Sequence, residues 1–175
     1  YGSMLANIAY VYSIAAAEAT QIILGYMIGA GKLKEVCPRV WSTIRIALAA
    51  SELLTLVILI FCDPIYSIFT ADPVIHQLGR QILYVEFALE IGRSINIVMV
   101  RGLTTAGDVW YPVTVGIFSM WLVSVGGSWL LGDVLGWGLA GIWIAMACDE
   151  CLRGLLFTIR FQRGKWKEKR LVSGL

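Results

Sequence analysis

The chain has 175 residues, of which 58% are hydrophobic and 15% are charged, and its mean hydropathy is +0.76. Soluble domains carry about 25% charged residues, and a soluble domain of this composition would have too little polar surface to cover its apolar atoms. The composition therefore excludes an ordinary soluble domain and predicts an all-α polytopic membrane protein, while the net charge of +2 gives no indication of nucleic-acid binding.

Five stretches are apolar enough to be membrane spans, each of which needs about 20 mostly apolar residues. They lie near residues 4–30, 40–62, 75–100, 112–131 and 138–160. Segments rich in glycine, proline and aspartate separate them, as expected for turns. We predict a bundle of transmembrane helices over residues 1–161 and a basic tail at residues 162–175. Because the chain starts at Tyr1, in or just before a hydrophobic helix, we also expect that an upstream part is missing.

The first two spans each carry an isolated acid in an otherwise apolar helix. Glu18 lies close to Gln21 in the first span, and Glu52 lies inside the second. Ionisable groups within spans rarely face lipid, and they mark contacts in the bundle interior or in a water-filled cavity. We therefore predict that Glu18, Gln21 and Glu52 are secondary polar members of an internal site.

The third span carries the strongest polar pattern. Glu86, Glu90 and Arg93 are spaced i, i+4 and i+7, so they share one face of a helix, and Asn96 follows three residues later. Each charge near the bilayer centre costs about 2.5–3.5 kcal/mol, so three cost about 8–10 kcal/mol, whereas a dozen apolar residues contribute about 4–7 kcal/mol. This face is therefore expected to line a cavity or to contact other helices.

Two interpretations of that polar face remain open. In the first, Arg93 pairs with Glu86 or Glu90 and only holds helices together. In the second, one carboxylate binds a proton, Na⁺ or a cationic substrate, because two acids share a single base and desolvation favours the protonated form of the unpaired one. We prefer Glu90 for the second role because it lies nearer the middle of the span than Glu86.

The fourth span has no charged residue, whereas the fifth carries a second polar cluster. Asp149 and Arg153 are spaced i, i+4, and Glu150 and Arg153 are spaced i, i+3. The cluster lies closer to one end of its span, where water is near. A structural or gating role is therefore at least as well supported as a binding role.

The other reactive side chains indicate neither catalysis nor a metal site. Cys148 and Cys151 form a C-x-x-C without a second ligand pair, and we interpret them as small residues of a buried helix. His76 is the only histidine and is predicted to lie in a solvated loop. The sequence shows no catalytic serine–histidine–aspartate set and no phosphate loop, so we expect neither an enzyme nor a bound cofactor.

Basic residues alternate between the two ends of the predicted spans. They are concentrated in the first loop, the third loop and the tail, at Lys32, Lys34, Arg39, Arg101, Arg160, Arg163, Lys165, Lys167, Lys169 and Arg170. The positive-inside rule places these segments in the cytoplasm. We therefore predict a multi-pass protein of the inner or plasma membrane with a cytoplasmic C-terminus. We interpret the basic tail as a contact to anionic lipid rather than to nucleic acid.

Four short motifs occur along the chain in a definite order. They are Ala19-Thr-Gln-Ile-Ile-Leu-Gly25 with Gly29-Ala-Gly31, then Phe69-Thr-Ala-Asp72, then Arg101-Gly with Gly107-Asp108 and Pro112, and finally Gly138-Leu-Ala-Gly-Ile-Trp143. In this order they resemble motifs of multidrug and toxic compound extrusion (MATE) transporters, and the resemblance covers nearly the whole chain. It implies the C-terminal part, roughly the eighth to twelfth spans, of a transporter built from two six-helix lobes.

The resemblance also implies a function. In this family an acidic residue of the tenth span takes part in cation coupling, and its position falls on Glu90 here. The implied protein is an H⁺- or Na⁺-coupled antiporter that exports small lipophilic organic cations by alternating access. It lies among membrane lipids and includes an N-terminal lobe of the same protein that is absent from this sequence.

Two alternatives to an antiporter remain open. One is a lipid-linked oligosaccharide flippase of the same superfamily, and the other is a truncated membrane fragment that transports nothing. Such flippases usually have several basic residues in their cavity. Here Arg93 is the only base that the sequence places clearly in mid-membrane, which favours the antiporter.

Overall fold

A computed structural model describes residues 2–69 and 72–168 of the chain. This part contains six helices, α1 (Gly2–Gly29), α2 (Leu33–Ile60), α3 (Cys62–Phe69), α4 (Pro73–Thr105), α5 (Trp110–Val134) and α6 (Gly138–Gln162). A 3₁₀ turn follows at Lys165–Glu168, and no strand occurs within the described residues. The predicted all-α class is therefore confirmed. Tyr1, two residues of the second motif (Thr70 and Ala71) and the second half of the predicted tail, residues 169–175, lie outside the described residues.

Three of the helices are long and apolar enough to cross a membrane. They are α1 over Val11–Gly29, α2 over its whole length, and α5. Helices α4 and α6 are of similar length, at 33 and 25 residues, but they carry the charged clusters of the third and fifth predicted spans. Length and composition therefore support a multi-span membrane protein, and the number of five spans stays a prediction.

Two helices extend beyond the predicted spans. Helix α2 begins at Leu33 instead of near residue 40, and α4 continues through Arg101 to Thr105. The prediction that His76 lies in a loop is wrong, because this residue belongs to the first turns of α4. The physical reason is that hydropathy detects only the apolar part of a helix. The backbone bonds continue into flanking turns whose polar side chains can reach water.

Glycine residues end α1 and α4 in the same way. Gly31 and Gly107 have positive φ angles of 74° and 87°. The N–H of Lys32 donates to the carbonyl of Met27 at 2.9 Å, and the residue after Gly107 makes the equivalent bond at 2.9 Å. This is the hydrogen-bond pattern of a Schellman motif, in which glycine adopts the left-handed conformation without steric cost.

Two local interactions fix the short helix α3 and the start of α4 beside it. The Asp72 side chain accepts a hydrogen bond from the backbone N–H of Val74, which caps α4 just before Pro73. The guanidinium of Arg80 donates to Asp63 of α3 and holds the pKa of that carboxyl below its usual range. Both contacts lie at the end of the bundle away from the basic loops.

Helices α4 and α6 approach each other at small residues. A Cβ atom added to Gly92 would lie 2.7 Å from the backbone nitrogen of Cys151, and one added to Gly154 would lie 3.1 Å from the carbonyl oxygen of Gly92. Small residues at crossings let helix backbones come close in membrane proteins. This close approach sets the register between the two helices that carry both charged clusters.

The largest apolar core lies where α1, α2, α4 and α6 meet. Its fully buried members are Ala17, Leu24, Val36, Val40, Ile44, Val98, Met99, Leu103, Phe157 and Phe161. The outer faces of the bundle are also apolar, as at Ile22, Trp121 and Leu122, each more than half exposed. Such an exterior suits contact with lipid rather than with water.

Two of the four cysteines do not lie where the sequence placed them. Cys148 and Cys151 were predicted to be buried, but both are exposed on α6. The reason is that hydropathy cannot distinguish a residue facing the bundle interior from one facing lipid, since both positions are apolar.

Helix α5 departs from regular α-helical geometry. Its segments Met120–Val125 and Trp129–Val134 are π-helical, with a short α-helical turn between them. π turns are rare and are frequently found at functional sites. Here they lie against the first turns of α6, where a Cβ added to Gly141 would be 2.7 Å from the carbonyl of Leu131.

Candidate functional site

The two acidic residues of the α4 polar face form ion pairs with Arg93, as their spacing predicts. Arg93 Nη1 donates to Glu86 Oε1 at 2.9 Å and also to Glu90 Oε1. The Glu86 and Glu90 side chains are 2% and 0% exposed, and that of Arg93 is 13% exposed. We call these three residues the α4 cluster. One guanidinium therefore neutralises at most one of two buried carboxylates, and the charge of the other has no full partner within the cluster.

The charged residues of α6 form an equivalent group. Arg153 Nη2 donates to Asp149 and, at 2.9 Å, to Glu150 Oε1. We call these three residues the α6 cluster. The Asp149 side chain is 3% exposed and also accepts a hydrogen bond from Ser119 of α5. The predicted i, i+4 and i, i+3 pairs are thus present, and Asp149 is buried rather than near water.

Two hydrogen bonds join the clusters across the interface of α4 and α6. Asn96 Nδ2 donates to Glu150 Oε2 at 2.6 Å, and Trp143 Nε1 donates to Glu86 Oε2 at 2.8 Å. Asn96 is 5% exposed, and its Oδ1 atom has no hydrogen-bond partner among the described residues. The clusters therefore form one network, in which a change of charge in either cluster acts on the other.

A cavity of about 650 Å³ lies beside this network, between α4, α5 and α6. Its polar wall consists of Arg93, Asn96, Arg101, Glu150 and Arg153. Its apolar wall consists of Ile97, Val100, Pro112, Val113, Gly116, Trp143, Met146 and Phe157. Ligand pockets typically have volumes of about 300–1,000 Å³ and a mostly apolar lining with a few convergent polar groups. The cavity therefore has the size and lining of a site for a drug-sized molecule.

The secondary polar residues of the first span connect to this cavity through one arginine. Arg101 Nη1 donates to Gln21 Oε1 at 3.0 Å, and Arg101 Nη2 donates to Glu18. The Glu18 side chain is 49% exposed and that of Arg101 is 40% exposed. Exposed ion pairs contribute little to stability, so this contact adds little to the stability of the bundle.

Glu52 lies on α2, which packs against α4, and is not among the residues that line the cavity. Neither of its carboxylate oxygens has a hydrogen-bond partner among the described residues, and both are closed off from solvent. The neighbouring residue Ser51 contacts Ser94 at 3.2 Å, and Ser94 contacts Ser13 of α1 at 2.8 Å. Glu52 is predicted to be a secondary polar member of an internal site, and its carboxylate has no hydrogen-bond partner within residues 2–69 and 72–168.

Sequence reasoning missed several members of the network. It interpreted Arg101 as a loop residue and did not connect Trp143 or Ser119 to the acids. It also missed the buried pair at the end of α4, where Arg160 Nε donates to Asp108 Oδ2 at 2.7 Å. A fully buried aspartate needs a cationic or hydrogen-bonding partner, but the burial of Asp108 depends on tertiary contacts that hydropathy and spacing do not show.

The acids and bases of the ion-pair network beside the cavity are not equal in number, although the residues that line the cavity itself include three arginines and one glutamate. Arg93, Arg101 and Arg153 pair with five carboxylates, those of Glu18, Glu86, Glu90, Asp149 and Glu150. Three bases with five acids leave two acids without a full cationic partner within these ion pairs. Such a surplus of acids in a poorly hydrated region favours the binding of cations or protons. Within residues 2–69 and 72–168, no group of three or more His, Cys, Asp or Glu side chains is placed to hold a metal ion.

The comparisons with known proteins indicate one family. The MatE family model matches residues 1–130. An uncharacterized transporter of Bacillus subtilis, YisQ, is 31% identical over 159 residues, which is 91% of this chain and 35% of that protein. Probable multidrug resistance proteins named NorM are 25% identical in Thermotoga maritima, over 67% of this chain and 25% of that protein, and 24% identical in Xanthomonas axonopodis, over 91% and 35%.

The chain covers only part of each of these relatives. The chain spans about a third of the length of the Bacillus and Xanthomonas relatives, or 35% of each. No solved structure is significantly similar to this chain.

Proposed function

Because the chain belongs to the MatE family of transporters, we propose that it forms part of a secondary active transporter that exports small organic molecules in exchange for H⁺ or Na⁺. The observation that carries this proposal is the surplus of acids over bases in the ion-pair network that lies beside the cavity between α4, α5 and α6. This is transport and not covalent catalysis, as MatE proteins and the NorM relatives are transport proteins.

Glu90 is the proposed coupling residue. Its side chain is fully buried, its Oε1 accepts from Arg93, and its Oε2 has no hydrogen-bond partner among the described residues. A cation or proton that binds Glu90 competes with Arg93, whose guanidinium also holds Glu86. Loading of Glu90 thereby shifts Arg93 toward Glu86 and changes the charge at the cavity wall. That change displaces the substrate and couples its movement to the ion.

The proposed substrates are lipophilic organic cations. The apolar wall of the cavity, with Trp143 and Phe157, fits an aromatic body. The surplus of carboxylates in the two clusters favours a positive charge on the substrate. Transport then follows from alternating access, in which the lobes of the complete protein open the cavity first to one side of the membrane and then to the other.

A flippase for lipid-linked oligosaccharides is not favoured. Arg93 is not the only base at the cavity, since Arg101 and Arg153 line it as well, which removes the sequence argument against a flippase. However, each of the three is ion-paired to carboxylates of the wall. The relatives named NorM are described as multidrug resistance proteins. Both observations favour a multidrug transporter.

The direct test is dye efflux from vesicles that contain the protein as its cell of origin makes it. Vesicles are loaded with ethidium, and either an inward H⁺ gradient or an inward Na⁺ gradient is imposed. We expect one of the two gradients to raise the efflux rate at least about tenfold, since a tenfold change corresponds to about 1.4 kcal/mol of coupling. Efflux equal to that of empty vesicles under both gradients would contradict the proposed function.

The proposed orientation places the loop before α2 and the end of α6 in the cytoplasm. In a background with every native cysteine of the complete protein replaced by serine, including the four of this chain, single cysteines are introduced at three exposed positions, Lys32, Lys165 and Asp133. In intact cells, a membrane-impermeant maleimide is expected to label the Asp133→Cys variant and neither of the other two. Labelling of Lys32→Cys or Lys165→Cys from outside would reverse the orientation.

A further inference from the structure

The carboxylate of Glu52 is the most poorly satisfied buried group in the described part of the chain. Both of its oxygens are closed off from solvent and lack a hydrogen-bond donor, although the rest of the side chain is only half-buried. A buried ionised carboxylate without a partner is strongly unfavourable, and such a group either finds a cation or takes up a proton. The hydroxyl groups beside it are already used, because Thr55 donates to the Ser51 carbonyl and Ser51 contacts Ser94.

A second unsatisfied carboxylate oxygen lies on the helix opposite. Glu90 lies on α4, which packs against α2, and its Oε2 atom is also buried without a hydrogen-bond partner among the described residues. Glu90 is one helical turn before Ser94, whose contact with Ser51 joins the two helices at this level. Three unpartnered carboxylate oxygens therefore belong to two acids on facing helices.

The charged groups on the packed helices do not relieve this pair. On α4, Arg93 of the α4 cluster is already ion-paired with Glu86 and Glu90. On α1 the only charged residue is Glu18, which pairs with Arg101, and on α3 Asp63 pairs with Arg80. The basic residues of α2 itself lie before residue 46, at least one and a half turns from Glu52.

A proton fits this position better than a larger cation does. The oxygens concerned are sealed from solvent, and the residues that line the large cavity include neither Glu52 nor Glu90. A proton needs no cavity and no additional ligands. Protonation of Glu52 removes a buried negative charge and gives this carboxyl a hydrogen-bond donor for a neighbouring acceptor.

We propose that Glu52 is a second proton-binding carboxyl of the transporter, which acts together with Glu90 as one coupled pair. The inference rests on the proposed function, because Glu90 is the coupling residue there. In the proposed step a proton from water binds an oxygen of the Glu52 carboxylate and yields a neutral carboxylic acid, and no electrons are exchanged. The proton is released when the substrate cation enters the cavity beside the α4 cluster and favours negative charge on the pair.

The test counts protons released per bound dye molecule. The purified transporter in detergent, in unbuffered solution with a pH indicator, is titrated with ethidium. We expect Glu52→Gln to lower the number of protons released per ethidium by about twofold, because one of two linked proton sites is lost. The matched control is Glu35→Gln, the same change at an exposed position of the same helix, which should leave the ratio unchanged.

The outcomes separate this inference from the proposed function. A proton-to-dye ratio of Glu52→Gln equal to that of Glu35→Gln would overturn the role of Glu52 and leave the transporter proposal intact. Efflux driven only by Na⁺ without proton release would also overturn the role of Glu52 and leave the transporter proposal intact. Absence of ethidium efflux under either gradient would contradict the proposed function itself.

A second measurement requires neither transport nor a stable glutamine variant. Infrared difference spectroscopy of the wild-type protein across a pH titration should contain the C=O stretch of a protonated carboxyl, and that band should shift in Glu52→Asp. The band should be unchanged in Glu35→Gln. A spectrum of Glu52→Asp identical to that of the wild type would contradict the proposal.

Discussion

Replacing Glu90 with glutamine is expected to lower gradient-driven efflux at least tenfold, to the rate of passive leak, while the protein still reaches the membrane. Glutamine has nearly the volume of glutamate, and its side-chain carbonyl can still accept from Arg93, so the local packing is kept. It cannot bind an exchangeable proton or attract Na⁺ as a carboxylate does. The variant therefore loses the coupling of dye efflux to the ion gradient. Dye efflux from vesicles under the effective gradient measures this loss directly.

Two further variants show whether the loss comes from the charge of Glu90. Glu90→Asp retains a carboxylate but withdraws it by one methylene from Arg93, and we expect partial efflux. Asp133→Asn removes an exposed acid near the end of the second π-helical segment of α5 and should transport like the wild type. Unchanged efflux in Glu90→Gln would remove Glu90 from the coupling site. Retained ethidium binding with lost efflux would place its role in ion coupling rather than in substrate recognition.

The polar face of α4 could be predicted because it depends on periodicity within one helix. Residues spaced i, i+4 and i+7 share a face regardless of what packs against it, and Arg93 does bind both Glu86 and Glu90. The same rule of helical spacing predicted the ion pairs of Arg153 with Asp149 and Glu150. Local spacing thus identified both clusters before any tertiary contact was known.

The connection between the clusters could not be predicted in this way. The contacts of Asn96 with Glu150 and of Trp143 with Glu86 depend on the register between α4 and α6, which are far apart in sequence. Hydropathy also does not show which way the side chain of a lone acid such as Glu52 points. Only the tertiary structure shows that its oxygens have no hydrogen-bond partner in the part of the chain that is described.

The register of α4 against α6 leads to the second large effect, expected for Gly92→Ala. A methyl group there would lie 2.7 Å from the backbone nitrogen and 2.9 Å from the Cα atom of Cys151. Backbone atoms cannot rotate away, so the helices must separate along their contact. Overpacking of this kind typically costs about 1–3 kcal/mol, and we expect the upper end of that range. Thermal unfolding of the purified protein and its level in the membrane measure the loss.

Control substitutions distinguish this close approach from a general sensitivity to alanine. Gly29→Ala places its methyl group where no atom lies within 4 Å, and alanine is the better helix former by about 1 kcal/mol, so this variant should be at least as stable as the wild type. Cys151→Gly should not rescue Gly92→Ala, because the backbone of residue 151 still blocks the methyl group. Full rescue would mean that only the cysteine side chain sets the spacing. Wild-type unfolding of Gly92→Ala would mean that α4 and α6 are not in this register, and the links from Asn96 and Trp143 to the acids would then be lost with it.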